Sequence, residues 1–304
     1  MPPHLAGHVA MLAFSAAVAG SFALGGLAAN LIDPAVLTVA RFWLAAGMLA
    51  AVAAATGQMN RRVARAPWRY LLLGGLMGVY FVTMFECLKT APPVTTSAIF
   101  TLTPLMAAGF GWVLLRQRTS RRMALALSIG GLGALWVIFR ADWQALVALD
   151  LGRGEAIFFV GVAAHALYTP LVAMFKRGEG LFAFACGTMV GGAVVLTLYS
   201  GPRILQTDWA ALPAIVWITL AYLAVFGSAV SFALHQFAAT RLPSAKVMAY
   251  TYLTPTWVIC WQLALGEAPP RPLVLAGIGL TALALVLLLR HEHPGDVSVR
   301  ARRV

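Results

Sequence analysis

Ten long apolar stretches, each about twenty residues with few charges inside, leave this chain few ways to fold. They fall near 8–29, 34–55, 69–88, 94–115, 122–139, 154–175, 180–199, 211–237, 244–265 and 272–289. A helix of that length matches the roughly 30 Å of hydrocarbon in a bilayer. The runs are continuous and do not alternate, which points to helices and away from barrel strands. Hydrophobic residues make up 61% of the 304 positions and charged residues 11%, against about 25% charged in a soluble domain. A water-surrounded core cannot hide that much apolar surface, so lipid must be the solvent. The expected fold is all-α and integral to the membrane, with ten transmembrane helices.

Those ten divide into two related sets. The tripeptide Leu102-Thr103-Pro104 recurs as Leu253-Thr254-Pro255, 151 residues later, in the middle of an apolar stretch each time. The same offset aligns Phe81 with Phe232, Pro92 with Pro243 and Ala98 with Ala249. A repeat of five spans is odd, so the second copy enters the membrane from the opposite side and the repeats are inverted. Proline breaks at matching positions of two inverted repeats are a sequence pointer to a transport site. The expected organisation is a first repeat over 8–139, an extracytoplasmic linker over 140–153, a second repeat over 154–289 and a polar tail over 290–304. Gly74 and Gly78, Gly187 and Gly191, and the glycines at 130, 131, 133, 277 and 279 suit close helix packing.

The formal net charge of +12 sets orientation and does not point to nucleic acid. With the N-terminus inside, cytoplasmic segments carry Arg61, Arg62, Arg65, Arg69, Arg116, Arg118, Arg121, Arg122, Lys176, Arg177, Arg241, Arg290, Arg300, Arg302 and Arg303. The other side carries only Lys89, Arg140, Arg153, Arg203 and Arg271. That bias places both termini in the cytoplasm. Cys87, Cys186 and Cys260 lie inside apolar spans without metal-type spacing. The first apolar stretch lacks a basic leader and matches the later spans in length, so it reads as a retained helix.

Several features together resemble one family, the EamA-type drug/metabolite transporters. They are the five-plus-five duplication, Asp33-Pro34 followed by Arg41 in the second span, the mid-span Pro104 and Pro255, and Gly266-Glu267 before a glycine-bearing last span. The first repeat departs at the position matching Gly266-Glu267, where it has Leu115-Arg116. Within that superfamily the chain is similar to bacterial inner-membrane exporters of aromatic amino acids. The resemblance implies a multi-pass protein of the bacterial inner membrane that moves a small molecule.

Charges inside hydrocarbon are costly and are candidates for function. Arg41 and Glu86, at similar depths, are expected to pair, as either a structural ion pair or an outer gate or proton site; Glu86 with Lys89 is the alternative pairing. Lys246 either snorkels to the headgroups or binds a substrate carboxylate. His165 and His235 either accept a substrate hydrogen bond and titrate or are structural. Tyr80, Phe100, Tyr168, Tyr250, Tyr252 and Trp257, with Thr254, lie at mid-membrane depth, away from the interfacial belts that Trp and Tyr prefer. They are expected to wall a cavity or to pack between helices. Pro104, Pro170 and Pro255 are the expected hinges, and Pro255 frees a carbonyl near Thr251 or Tyr252.

The expected function is a secondary transporter that exports amino acids, aromatic or large apolar ones, by alternating access. Efflux of lipophilic cations is the alternative, and Glu86 is the only membrane-embedded acid available to it. No triad, HExxH or Walker A pattern occurs, so neither enzymatic activity nor a cofactor is expected. The expected partners are the small-molecule substrate and the lipid bilayer.

Overall fold

The computed structural model describes residues 3–59, 63–148 and 151–289, with side chains from residue 5 onward. The expected tail over 290–304, with its arginines, and Arg61, Arg62 and Asp150 lie outside the described residues. All regular structure among the described residues is helical. The order is α1 (Pro3–Ala28), α2 (Pro34–Ala55), α3 (Trp68–Leu88), α4 (Pro93–Phe100), α5 (Thr103–Leu115), α6 (Arg121–Ile138), α7 (Trp143–Ala148) and α8 (Arg153–Phe175). It continues with α9 (Leu181–Gln206), α10 (Ala214–Ala224), α11 (Ser231–Ala239), α12 (Ser244–Ala249), α13 (Thr254–Ala264) and α14 (Pro272–Leu289).

Nine of these elements or joined pairs, by length and composition, could cross a membrane, among them α4–α5 as Pro93–Leu115 and α10–α11 as Ala214–Ala239. The stretch expected to cross at 244–265 is cut into α12, a 3₁₀ turn at Tyr250–Leu253 and α13, none of which alone has span length. The helix starts carry ordinary signals. Asp33 caps α2, its carboxylate accepting from the Ala35 and Val36 N–H groups at 2.8 and 3.1 Å, with Pro34 in the first turn where its missing N–H costs nothing. Ser120 caps α6 through the Met123 N–H.

Both repeats break where the tripeptide sits. α4 ends at Phe100 and α5 begins at Thr103; α12 ends at Ala249 and α13 begins at Thr254. Each proline then lies in the first turn of the new helix. Pro170 behaves differently: α8 runs through it unbroken to Phe175. α9 also extends through Pro202 to Gln206, past the expected end near 199. That last turn is held by Thr207 Oγ1 donating to the Arg203 carbonyl and by an Arg203–Asp33 ion pair at 3.3 Å.

Packing between helices comes in reciprocal pairs. α3 packs on α8 as α10–α11 packs on α1, α5 on α12 as α13 on α4, while α2 meets α9 and α6 meets α14. Two helix contacts, α3 with α9 and α6 with α14, need glycine. A Cβ on Gly74 would lie 2.1 Å from the Gly192 backbone nitrogen, and one on Gly133 would lie 2.6 Å from the Gly277 carbonyl oxygen. Backbones cannot approach so closely with larger residues between them.

The connections gather at two ends. At one end Asp33 meets Arg203, Arg140 lies 3.8 Å from Glu155, and the segments around Thr90, Arg140, Gly152 and Arg271 surround one vestibule. At the other, Arg69 holds Glu179 at 2.7 Å, Gln58 Oε1 accepts from the Phe182 N–H, and Gln117 Oε1 accepts from the Ser244 N–H.

Candidate functional site

A small chamber lies between the two sets of helices at mid-depth. Phe14 and Val18 of α1, Met77, Tyr80 and Phe81 of α3, His165 of α8 and Ser231, Phe232 and His235 of α11 line it, around a volume of about 10 Å³. That volume is close to one water-sized sphere. Six of the nine lining residues carry rings. His165 stacks at 4.6 Å from Tyr80, 5.1 Å from Phe100 and 5.3 Å from His235 between centroids. Tyr168 packs on His235 at 5.2 Å.

Polar atoms among these rings are unevenly satisfied. His235 Nε2 shares a hydrogen bond with the Thr169 hydroxyl at 3.1 Å. The Gln236 amide donates to the Tyr168 hydroxyl at 2.9 Å and to Thr188 Oγ1 at 3.2 Å. His165 Nδ1 and the Tyr80 hydroxyl are fully enclosed and have no protein partner. Buried polar atoms are normally paired, so two orphans facing one chamber mark it as a place for a polar guest.

At the end holding the Arg140–Glu155 pair, a vestibule of about 820 Å³ opens among Thr90, Thr95, Arg140, Glu155 and Arg271. One to two helical turns deeper than Thr95 and Glu155, Phe100 and Phe158 meet Phe22 and Tyr80. Phe22 lies 5.8 Å from Phe100 and 6.4 Å from Phe158, and Tyr80 lies 5.3 and 5.7 Å from the same two rings. Along α8, Phe158 of this group sits between the vestibule residue Glu155 and the chamber residue His165.

Tyr80, Phe100, His165, Tyr168 and His235 therefore come together, while the remaining expected wall residues do not. Tyr252 is driven between α6 and α14: its ring fills the space over Gly130, its hydroxyl donates to the Leu127 carbonyl at 3.4 Å, and it is fully buried there. The carbonyl of Tyr252 does not face a cavity as expected; Thr281 Oγ1 of α14 donates to it at 3.2 Å. A freed carbonyl in a low-dielectric interior takes the nearest donor. Tyr250 turns to α1, its hydroxyl 3.0 Å from His8 Nδ1, and Trp257 donates to Ser15 at 3.2 Å. Thr254 is buried at the start of α13. Lys246 is buried in α12.

The expected Arg41–Glu86 pair is not formed. Glu86 pairs with Lys89 at 3.0 Å, three residues on along α3, where both side chains are about a third exposed. A local pair in contact with the surroundings needs no desolvation of either charge, and this one wins. Arg41 is fully buried and turns the other way: Nε donates to Ser228 Oγ at 2.9 Å and Nη2 to the Gly227 carbonyl at 2.6 Å. Those acceptors lie in a π-helical turn, Val225–Val230, joining α10 to α11. Such wide turns occur often at functional sites.

Residues 5–139 and 152–290 each match the EamA-like transporter family. The chain belongs to that family. It is a multi-pass membrane transporter of small molecules. An uncharacterized transporter, YyaM, of Bacillus subtilis (strain 168) is 25% identical over 266 residues, covering 86% of this chain and 87% of the relative. A protein of Streptantibioticus cattleyicolor named as a "probable terminal-alkyne amino-acid exporter" is 27% identical over 271 residues, covering 88% of each. One crystal structure superposes with a TM-score of 0.71 at 19% identity, over 94% of this chain and 96% of that one; at that identity it shows the shared fold. Within this EamA chain, Ser21, Gly227, Ser228, Gln236 and the vestibule residue Glu155 went unread in the sequence. Small polar residues in apolar helices look like packing, and Glu155 looks like an ordinary first-turn acid.

Proposed function

We propose that this transporter exports amino acids, aromatic or large apolar ones, and related metabolites across the bacterial inner membrane by alternating access. Ten crossings are part of the proposal, with α12–α13 as the ninth despite its break. The loops that meet at each end of the bundle are the ones an alternating ten-span path would bring together, and the reciprocal helix contacts suit an inverted pair of repeats. Residues 8–139 and 154–289 are then the two moving units, 140–153 the outer linker, and both termini are cytoplasmic. The breaks at Pro104 and Pro255 serve as hinges.

The observation that carries the substrate reading is the chamber between the repeats, where Tyr80, Phe81, Phe232, His165 and His235 offer flat apolar faces. A flat solute with a few polar groups suits such walls. Tyr80, Phe100, His165, Tyr168 and His235 are the proposed contact residues, and the rings of Phe22, Phe100, Phe158 and Tyr80 are the proposed outer gate. The relative from S. cattleyicolor, named for amino-acid export, agrees with this cargo. Among the described residues no carboxylate lines the chamber, which weighs against the lipophilic-cation alternative.

The test replaces chamber residues. Proteoliposomes preloaded with unlabelled tryptophan should take up labelled tryptophan by counterflow. His165→Ala and Tyr80→Ala should each reduce that exchange about tenfold or more, as the loss of a ring and a polar contact together implies. Undiminished exchange in both variants would move the cargo path elsewhere.

A further inference from the structure

Among the described residues two arginines are buried inside the helical bundle, and their surroundings differ. Arg69, 1% exposed, has Glu179 at 2.7 Å. Arg41, 0% exposed, has only neutral acceptors: a hydroxyl and a carbonyl. Every carboxylate among the described residues is engaged elsewhere. Asp33 is with Arg203, Glu86 with Lys89, Glu155 with Arg140 and Glu179 with Arg69. Asp142 and Asp208 cap short helical turns, and Glu267 accepts from Gln262. A buried cation without a counter-charge is expensive, and it makes a strong site for an anion that arrives later.

The donors left over point to where that anion would sit. Nη1 of Arg41 has no partner, and neither does the enclosed hydroxyl of Ser21 on α1. The Ser21 hydroxyl and the Arg41 guanidinium both approach Gly227: a Cβ there would lie 2.6 Å from Ser21 Oγ and 3.1 Å from Nη2, which shares its carbon with the unpartnered Nη1. The spot lies next to the chamber along α1 and along the segment leading into α11. Ser21 lies three residues, about one helical turn, beyond the chamber residue Val18. Ser228 lies the same distance before the chamber residue Ser231. What separates the two is the ring of Phe81, whose centroid is 3.7 Å from the Arg41 guanidinium carbon.

We propose that Arg41, with Ser21 and the Ser228 hydroxyl that holds the guanidinium, forms a carboxylate-binding subsite one turn above the aromatic chamber, with the Phe81 ring covering it until substrate enters. This rests on the amino-acid reading of the cargo. One turn is about the distance from the carboxylate of an aromatic amino acid to its ring. The carboxylate would take Nη1 and the Ser21 hydroxyl, with the ring below among Tyr80, Phe232 and His165. The ammonium would face the unpartnered Tyr80 hydroxyl and His165 Nδ1, and no carboxylate is among the described residues lining the chamber. Recognition therefore depends on the acid group more than on the amine.

Binding to purified protein tests this, read as ligand-induced rise in melting temperature. Indole-3-propionate, which has the acid without the amine, should stabilise the protein, and tryptamine, which has the amine without the acid, should not. Arg41→Gln should weaken indole-3-propionate binding about tenfold or more, the range for a charge-assisted hydrogen bond. Its unliganded melting temperature should stay level or rise, because a solitary buried charge has been removed; a merely structural arginine would give a fall instead. Ser21→Ala, a milder change that tests the same contact should Arg41→Gln not fold, should weaken binding about threefold.

Equal binding of indole-3-propionate by wild type and both variants, stabilisation by tryptamine as large as by the acid, or no binding of the acid at all would overturn the subsite. Arg41-dependent binding of the acid without tryptophan exchange by the wild type would keep the subsite and remove the cargo reading. Tryptophan exchange with unchanged acid binding in Arg41→Gln would do the opposite.

Discussion

Arg69 is held at one end of the bundle by four acceptors. Its guanidinium donates to Glu179 and to the backbone carbonyls of Arg65, Ala66 and Phe175. Arg69→Ala would leave the Glu179 carboxylate buried and uncompensated, a loss of about 3–5 kcal/mol for such pairs, read as a lower melting temperature. Burial alone would push the Glu179 pKa up, but donation from Arg69 and from the Arg177 and Glu179 backbone N–H groups outweighs it, and the carboxyl is held below its ordinary 4.5. Its stabilising contribution is therefore complete above about pH 4.5 and is lost as pH falls through the lower folded value. Melting of wild type and Glu179→Gln should differ by a constant amount at neutral pH and converge in acid; a gap that widens in acid would refute this. In the sequence Arg41 and Glu86 look like natural partners because depth along a helix is readable and azimuth is not. The two face different neighbours, and Lys89, three residues from Glu86, needs no tertiary fold to reach it.

Helix breaks were the most legible elements. The repeated Leu-Thr-Pro puts a discontinuity between α4 and α5 and between α12 and α13, because proline lacks the N–H and crowds the preceding turn. Pro170 and Pro202 obey the same chemistry without ending α8 or α9, which run on to Phe175 and Gln206. The π turn before α11 has no proline or glycine pair to announce it; it is visible only as the Arg41 acceptors it creates. Pro255→Ala restores a backbone donor to α13 and favours a continuous helix from 244 to 264. Tryptophan turnover should fall severalfold while melting temperature holds or rises, whereas unchanged turnover would remove the hinge. Gly74→Leu places a side chain where the Gly192 backbone lies and should destabilise the α3–α9 contact by about 1–3 kcal/mol or more, the cost of overpacking.

At the scale of the whole chain, the apolar lengths and the 151-residue offset made the helical, two-repeat design readable before any contact was known. The chamber was readable only in part. Tyr80, Phe100, His165, Tyr168 and His235 converge, but Tyr250, Tyr252 and Trp257 are claimed by α1, α6 and α14, which no linear spacing reveals. The vestibule at the Arg140–Glu155 end and the small chamber, with four rings grouped near both, are the features on which the proposed cargo path rests. The most direct test of the export reading is counterflow by the wild-type protein in proteoliposomes, with tryptophan, phenylalanine, threonine and tetraphenylphosphonium each preloaded and then followed as labelled solute. Rapid exchange of tryptophan and phenylalanine, with threonine slow and the cation at background, is the predicted result. Exchange of the cation alone would contradict it.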